Sequence, residues 1–100
     1  MISPGRAVRH LLSEYGWTQA DLAEILDRPA QWVSEVCCDK KSLTPYAALA
    51  LEAASGGFVD AMAWLSIQSR WQLAQLDKDG SHRATIAAIK GRAERSQVTR

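Results

Sequence analysis

The stretch Trp17–Asp39, WTQADLAEILDRPAQWVSEVCCD, decides the fold. It reads as two short helices joined by a tight turn, the first from Thr18 to about Leu26 and the second from about Ala30 to Cys37. The Thr18 hydroxyl can accept from the backbone N–H at the third helical position, and Asp21 at that position can return the bond, a capping box with Asp in place of Glu. Trp17 and Leu22 flank this cap at the spacing of a hydrophobic staple. Small Ala23 allows the second helix to come close, and Ile25 and Leu26 are expected in the core. Asp27 falls in the turn, where a left-handed backbone is wanted, and Asp tolerates that conformation better than most residues. In the second helix Val33 and Val36, at i and i+3, point inward, which leaves Ala30, Gln31, Ser34, Glu35 and Cys38 outward. Two helices meeting steeply across so short a turn form the helix-turn-helix unit.

The flanks extend the pattern. Before it, Ser3-Pro4 opens a helix, with Ser3 placed to cap and Pro4 at the position where its missing N–H costs nothing. Ala7, Val8, Leu11, Leu12 and Tyr15 form its apolar face, and Gly16 closes it in the left-handed conformation. After it, Asp39-Lys40-Lys41-Ser42 is a polar loop. Thr44-Pro45 repeats the cap-proline start of a fourth helix, whose inner face is expected to be Tyr46, Leu49, Ala50, Ala53 and Ala54, with Gly56-Gly57 at its end. Phe58 to about Leu76 reads as a fifth helix containing Met62, Leu65, Trp71 and Leu73. Asp77-Lys78-Asp79-Gly80 is expected to break it, and Ser81 to cap a last helix through about Arg95, with Ser96 to Arg100 fraying. The chain is therefore expected to be all-α, with five helices in residues 1–76 and an additional basic C-terminal helix in 77–100.

Composition narrows the function. Apolar residues make up 47 % and charged residues 23 % of 100 residues, which describes one globular domain. No apolar run approaches the roughly 20 residues that span a bilayer, and MISPGRAVRH lacks the apolar centre of a secretory signal, so the expectation is no membrane partner and a cytoplasmic location. The only cysteines, Cys37 and Cys38, are adjacent. They are too few for a disulfide scaffold or a zinc site and are expected as reduced thiols. His10 and His82 are isolated, and no catalytic constellation is visible, so neither an enzyme, a cofactor nor a metal is expected.

What remains is recognition of a macromolecule. In helix-turn-helix proteins that bind DNA, the second helix lies in the major groove. Gln31 and Ser34 stand one turn apart on its outer face; Gln can pair with adenine through two hydrogen bonds, and Ser can contact base or backbone. Ala30 can touch a thymine methyl. Gln19, at the amino end of the first helix of the pair, and Lys40 and Lys41, beyond the end of the second, are placed to hold phosphates. Trp32 is expected to pack inward, and Glu35 to be a surface charge or a partner for Lys40. The charge distribution is uneven: residues 1–47 carry five basic against six acidic side chains, and residues 81–100 five against one. The helix-turn-helix is thus without the usual basic footprint of a DNA-binding domain. A protein-interaction module on the same scaffold is the alternative, with Trp32, Glu35 and Asp39 facing a partner protein.

Four blocks carry a family likeness: SPGRAVRHLL (Ser3–Leu12), GWTQADLAEILDRPAQWVSEV (Gly16–Val36), KKSLTPYAALALEAASG (Lys40–Gly56) and WLSIQSRWQL (Trp64–Leu73). In these the chain resembles the Xre/lambda-repressor-like DNA-binding domains, and within them the plasmid-maintenance antidote branch of HigA-type antitoxins. The resemblance implies a lambda-repressor-like fold and a homodimer bound to double-stranded operator DNA, repressing its own operon. It also implies a protein partner, a small ribosome-dependent, mRNA-cleaving toxin that the antidote neutralises. Some members of the branch share this domain with longer metallopeptidase-type proteins, for which the basic tail would serve as a linker. Where relatives carry Asn-Gly after the recognition helix, this chain has Cys38-Asp39. Asp39 is expected to repel a phosphate there, and Glu35 adds a second negative charge on the same face.

Overall fold

Six helices account for most of the chain: α1 (Pro4–Tyr15), α2 (Gln19–Leu26), α3 (Ala30–Cys37), α4 (Pro45–Ala54), α5 (Ala61–Asp79) and α6 (Arg83–Val98). The computed structural model describes residues 1–98, and among them there is no strand. The helix starts follow the predicted chemistry. The Ser3 side chain accepts from the Arg6 N–H, the Thr18 side chain from Asp21 and the Thr44 side chain from Ala47. The Thr18–Asp21 box is complete, with Asp21 Oδ2 accepting from the Thr18 N–H at 2.8 Å. Gly16 ends α1 at φ 67°, and Asp27 ends α2 at φ 53°, both left-handed.

The core is built from Val8, Leu11 and Leu12 of α1, Leu22 and Ala23 of α2, Val33, Val36 and Cys37 of α3, Leu43, Ala47, Ala48 and Leu51, and Trp64 of α5. Fully burying a side chain such as Leu22, Val33 or Leu51 stabilises by about 1.5–3 kcal/mol each, which is what holds helices of eight to ten residues that would be marginal alone. Trp64 is 2 % exposed and forms the largest single piece of this core.

Several expectations change. Ile25 lies outside the core and is exposed. The inner face of α4 is Ala47, Ala48 and Leu51, while Tyr46 and Leu49 point to solvent. This helix is apolar nearly all round, so spacing alone could not set which side turns inward. The fifth helix begins at Ala61 because Asp60 caps it, accepting from the Ala63 N–H at 2.7 Å; Phe58 stays in the preceding turn and is 91 % exposed. The helix also runs through Asp77-Lys78-Asp79 and stops only at left-handed Gly80. Ser81 donates to Asp79 rather than capping the last helix. That helix extends past Arg95 to Val98; the predicted fraying of Thr99 and Arg100 lies outside the described residues.

Buried Gln68 ties α5 to the segment leaving α3. Its Nε2 donates to the Leu43 carbonyl at 2.9 Å, and its Oε1 accepts from the Leu43 N–H. The Lys40–Leu43 loop is thereby fixed to the longest helix. α6 is different. From Arg83 to Gln97 every residue is exposed except half-buried Gly91. The radius of gyration is 18.0 Å, against about 13 Å for a compact chain of this length, and the long axis reaches 58 Å. α6 projects from the five-helix body.

Candidate nucleic-acid interface

The α2–α3 pair is oriented by two contacts with α1 that local sequence patterns do not show. Gly5, in the first turn of α1, passes so close to the end of α3 that a Cβ there would lie 2.5 Å from the Cys37 carbonyl oxygen and 2.6 Å from that of Val36. Only glycine permits this approach. Beside it, Asp39 Oδ1 accepts from the Gly5 N–H at 2.8 Å, and the Arg9 Nη1 donates to the Cys37 carbonyl at 3.0 Å. Each contact sits at the helix end its charge favours: a carboxylate at the amino end of α1, a guanidinium at the carboxyl end of α3. Asp39 holds φ 60°, so the chain reverses there and Lys40 and Lys41 follow directly.

This arrangement revises the expectation for Asp39. Its carboxylate is half-buried and bound to the backbone of α1, rather than presented bare to a phosphate. Glu35 is also engaged. Its Oε1 accepts from Gln31 Nε2 at 2.9 Å, and its Oε2 lies 3.7 Å from Lys41 Nζ. The expected partner was Lys40; the structure pairs Glu35 with Lys41. The outer face of α3 is thus an ordered chain, Gln31–Glu35–Lys41, with Ala30 and Ser34 exposed. Gln19, the first residue of α2, and Lys40 are exposed as well.

Trp32 packs against the core as expected, and its outer face is covered. The Arg28 guanidinium lies 4.9 Å from the Trp32 ring centroid and 5.5 Å from that of Tyr46, bridging α3 and α4 by cation–π contact. Arg28 was absent from the sequence-derived candidates; its spacing of four residues before Trp32 was the available signal. Arg9 is occupied at the α3 terminus. Burial pushes the Cys37 thiol above its ordinary pKa; the Arg9 charge opposes this, and Cys38 and Asp39 add to it. Cys38 is exposed.

Two helices crossing at the Asp27 turn, the second with an exposed polar face, on an all-α core closed by α1, α4 and α5, define a helix-turn-helix fold. Two solved structures are similar to it. Pseudomonas aeruginosa antitoxin HigA, determined with the higBA promoter, matches 81 % of this chain and 91 % of its own with a TM-score of 0.70 and 26 % identity. A Nostoc punctiforme protein assigned as an antidote of a plasmid maintenance system matches 84 % of this chain and 93 % of its own, with a TM-score of 0.68 and 28 % identity. No protein-family model and no curated protein matches the chain. In fold the chain is therefore similar to an antitoxin and an antidote protein of plasmid-maintenance type.

Proposed function

We propose that the protein is a sequence-specific DNA-binding repressor of antitoxin type, cytoplasmic and acting as a homodimer, that controls its own operon and neutralises a small mRNA-cleaving toxin. The observation that carries the DNA reading is the outer face of α3. Gln31 Nε2 has two hydrogens, and one is committed to Glu35. The second, with Oε1, remains for the N7 and N6 edge of an adenine, the two-bond pairing open to Gln. Glu35 therefore acts as a positioning residue for the base reader. Ser34 and Ala30 complete the reading set, and Gln19, Lys40 and Lys41 supply phosphate contacts.

The acidic residues that favoured a protein-interaction module are accounted for within the fold, since Asp39 serves α1 and Glu35 serves Gln31 and Lys41. The similarity to an antitoxin determined with its promoter supports the same reading. A dimer would set two α3 helices about 34 Å apart on a pseudo-palindrome. The test is fluorescence anisotropy with the DNA upstream of the protein's own gene, against scrambled DNA, over a range of salt. Specific binding with a salt slope of several ions supports the proposal. Equal, weak binding to both sequences removes it. Co-purification with the product of an adjacent toxin gene tests the second half independently.

A further inference from the structure

Between the start of α2 and the start of α4 the cationic side chains are Arg28, Lys40 and Lys41. Lys41 is paired with Glu35. Arg28 and Lys40 make no ion pair among the described residues. They bracket α3, Arg28 just before Ala30 and Lys40 just beyond Cys37. Arg28 is the one held in place. Its guanidinium carbon lies 4.9 Å from the Trp32 ring centroid and 5.5 Å from that of Tyr46. Both rings engage the faces of the guanidinium, while its N–H donors lie in its plane, in a fixed fork that matches phosphate geometry. Those donors are unspent: among the described residues, arginine side-chain hydrogen bonds belong to Arg9 and Arg83. Arg28 is only half-buried and Tyr46 is exposed, so an anion can reach this edge.

We propose that Arg28, braced by Trp32 and Tyr46, is a further phosphate site of the DNA interface. Its N–H edge binds a backbone phosphodiester at the amino end of α3, and Lys40 binds another beyond the carboxyl end. The inference rests on the DNA-binding reading above and adds to it a ligand-holding residue outside the α3 face. Trp32 lies about 100° around α3 from Gln31. The cation braced on it therefore stands beside the base-reading face, which makes a phosphate, not a base edge, its ligand. α3 runs about 12 Å over its eight residues, and Arg28 is anchored at its own end, so it and Lys40 reach different phosphates. The bracing has a purpose in binding. A guanidinium already fixed by two rings loses little further freedom when a phosphate arrives. That matters in a helix-turn-helix whose acidic side chains outnumber its basic ones.

The experiment is anisotropy titration of the full chain with its own upstream DNA and with scrambled DNA, across a range of salt. Wild type is compared with Arg28→Gln, Arg28→Lys, Lys40→Gln, the Arg28→Gln/Lys40→Gln double variant and Tyr46→Leu; far-UV dichroism and urea midpoints check that each is folded. Arg28→Gln is expected to weaken binding to both DNAs alike, roughly five- to tenfold at about 0.1 M salt, and to make the salt slope shallower by about one. The double variant is expected to lose about two from the slope, and Arg28→Lys to keep the slope of the wild type. Tyr46→Leu keeps every charge and is expected to weaken binding about two- to fivefold with the slope unchanged. A lower urea midpoint in Arg28→Gln with the wild-type salt slope overturns the inference and leaves Arg28 as a bridge between α3 and α4. Weakened binding to the upstream DNA alone also overturns it, because that is the behaviour of a base reader. In either case specific binding by the wild type leaves the repressor reading standing. A wild type that binds neither DNA removes both.

Discussion

Asp39 Oδ1 accepts a hydrogen bond from the backbone N–H of Gly5 at 2.8 Å, joining the residue just past the recognition helix to the first turn of α1 across 34 positions of sequence. The carboxylate completes an amino-terminal helix end, where a negative charge is favourable. Asp39 is thus a brace between α1 and the end of α3.

Gly5→Ala puts a methyl group within 2.6 Å of two backbone oxygens, so α1 and α3 must separate. A loss of about 1–3 kcal/mol in urea unfolding is expected, the range for overpacking a close contact. Asp39→Ala should lose about 1 kcal/mol through the missing acceptor, and Asp39→Asn less, because Asn keeps an acceptor and tolerates the left-handed backbone.

Gln68→Leu leaves the Leu43 N–H and carbonyl buried without their partner. Each such group costs about 1–3 kcal/mol. The variant is expected to lower the unfolding midpoint clearly and to loosen the Lys40–Leu43 loop, seen as faster amide exchange at Leu43.

Much of this architecture was legible in the chain because helix ends are local. Ser3, Thr18 with Asp21, and Thr44 each cap within three residues, and Gly16 and Asp27 stop their helices where left-handed residues were expected. Periodicity fails where one helix is apolar on several sides, which is why Tyr46 and Leu49 were placed inside and Ala47 and Ala48 were missed. Phe58 looked like the start of α5, but the cap at Asp60 defines that start. The outward residues Ala30, Gln31 and Ser34 followed from the inward spacing of Val33 and Val36. Contacts between distant segments, Gly5 with Asp39 and Arg9 with Cys37, leave no periodic trace and were not legible.

The two cysteines should behave differently. In the native protein one thiol per chain, Cys38, is expected to react rapidly with a disulfide reagent, and Cys37 only on unfolding. Burial raises the folded-state pKa of Cys37 above its unfolded value. Its contribution is fully present below the unfolded thiol pKa of about 8.5 and is lost as pH rises beyond it toward the folded value. Stability should therefore decline on the alkaline side, and Cys37→Ala should flatten that decline.

Glu35→Ala removes both a negative charge from the recognition face and the acceptor that holds Gln31. Binding to all DNA sequences should strengthen modestly at low salt, while the preference for the operator over scrambled DNA falls. Anisotropy titrations against both sequences read the two effects separately.

The central claim is that α3 reads bases through Gln31. The most direct measurement is the affinity of wild type and Gln31→Ala for the protein's own upstream DNA and for scrambled DNA at one salt concentration. Discrimination is expected to fall by about 1–3 kcal/mol while binding to scrambled DNA stays the same. Discrimination equal to that of the wild type would contradict it.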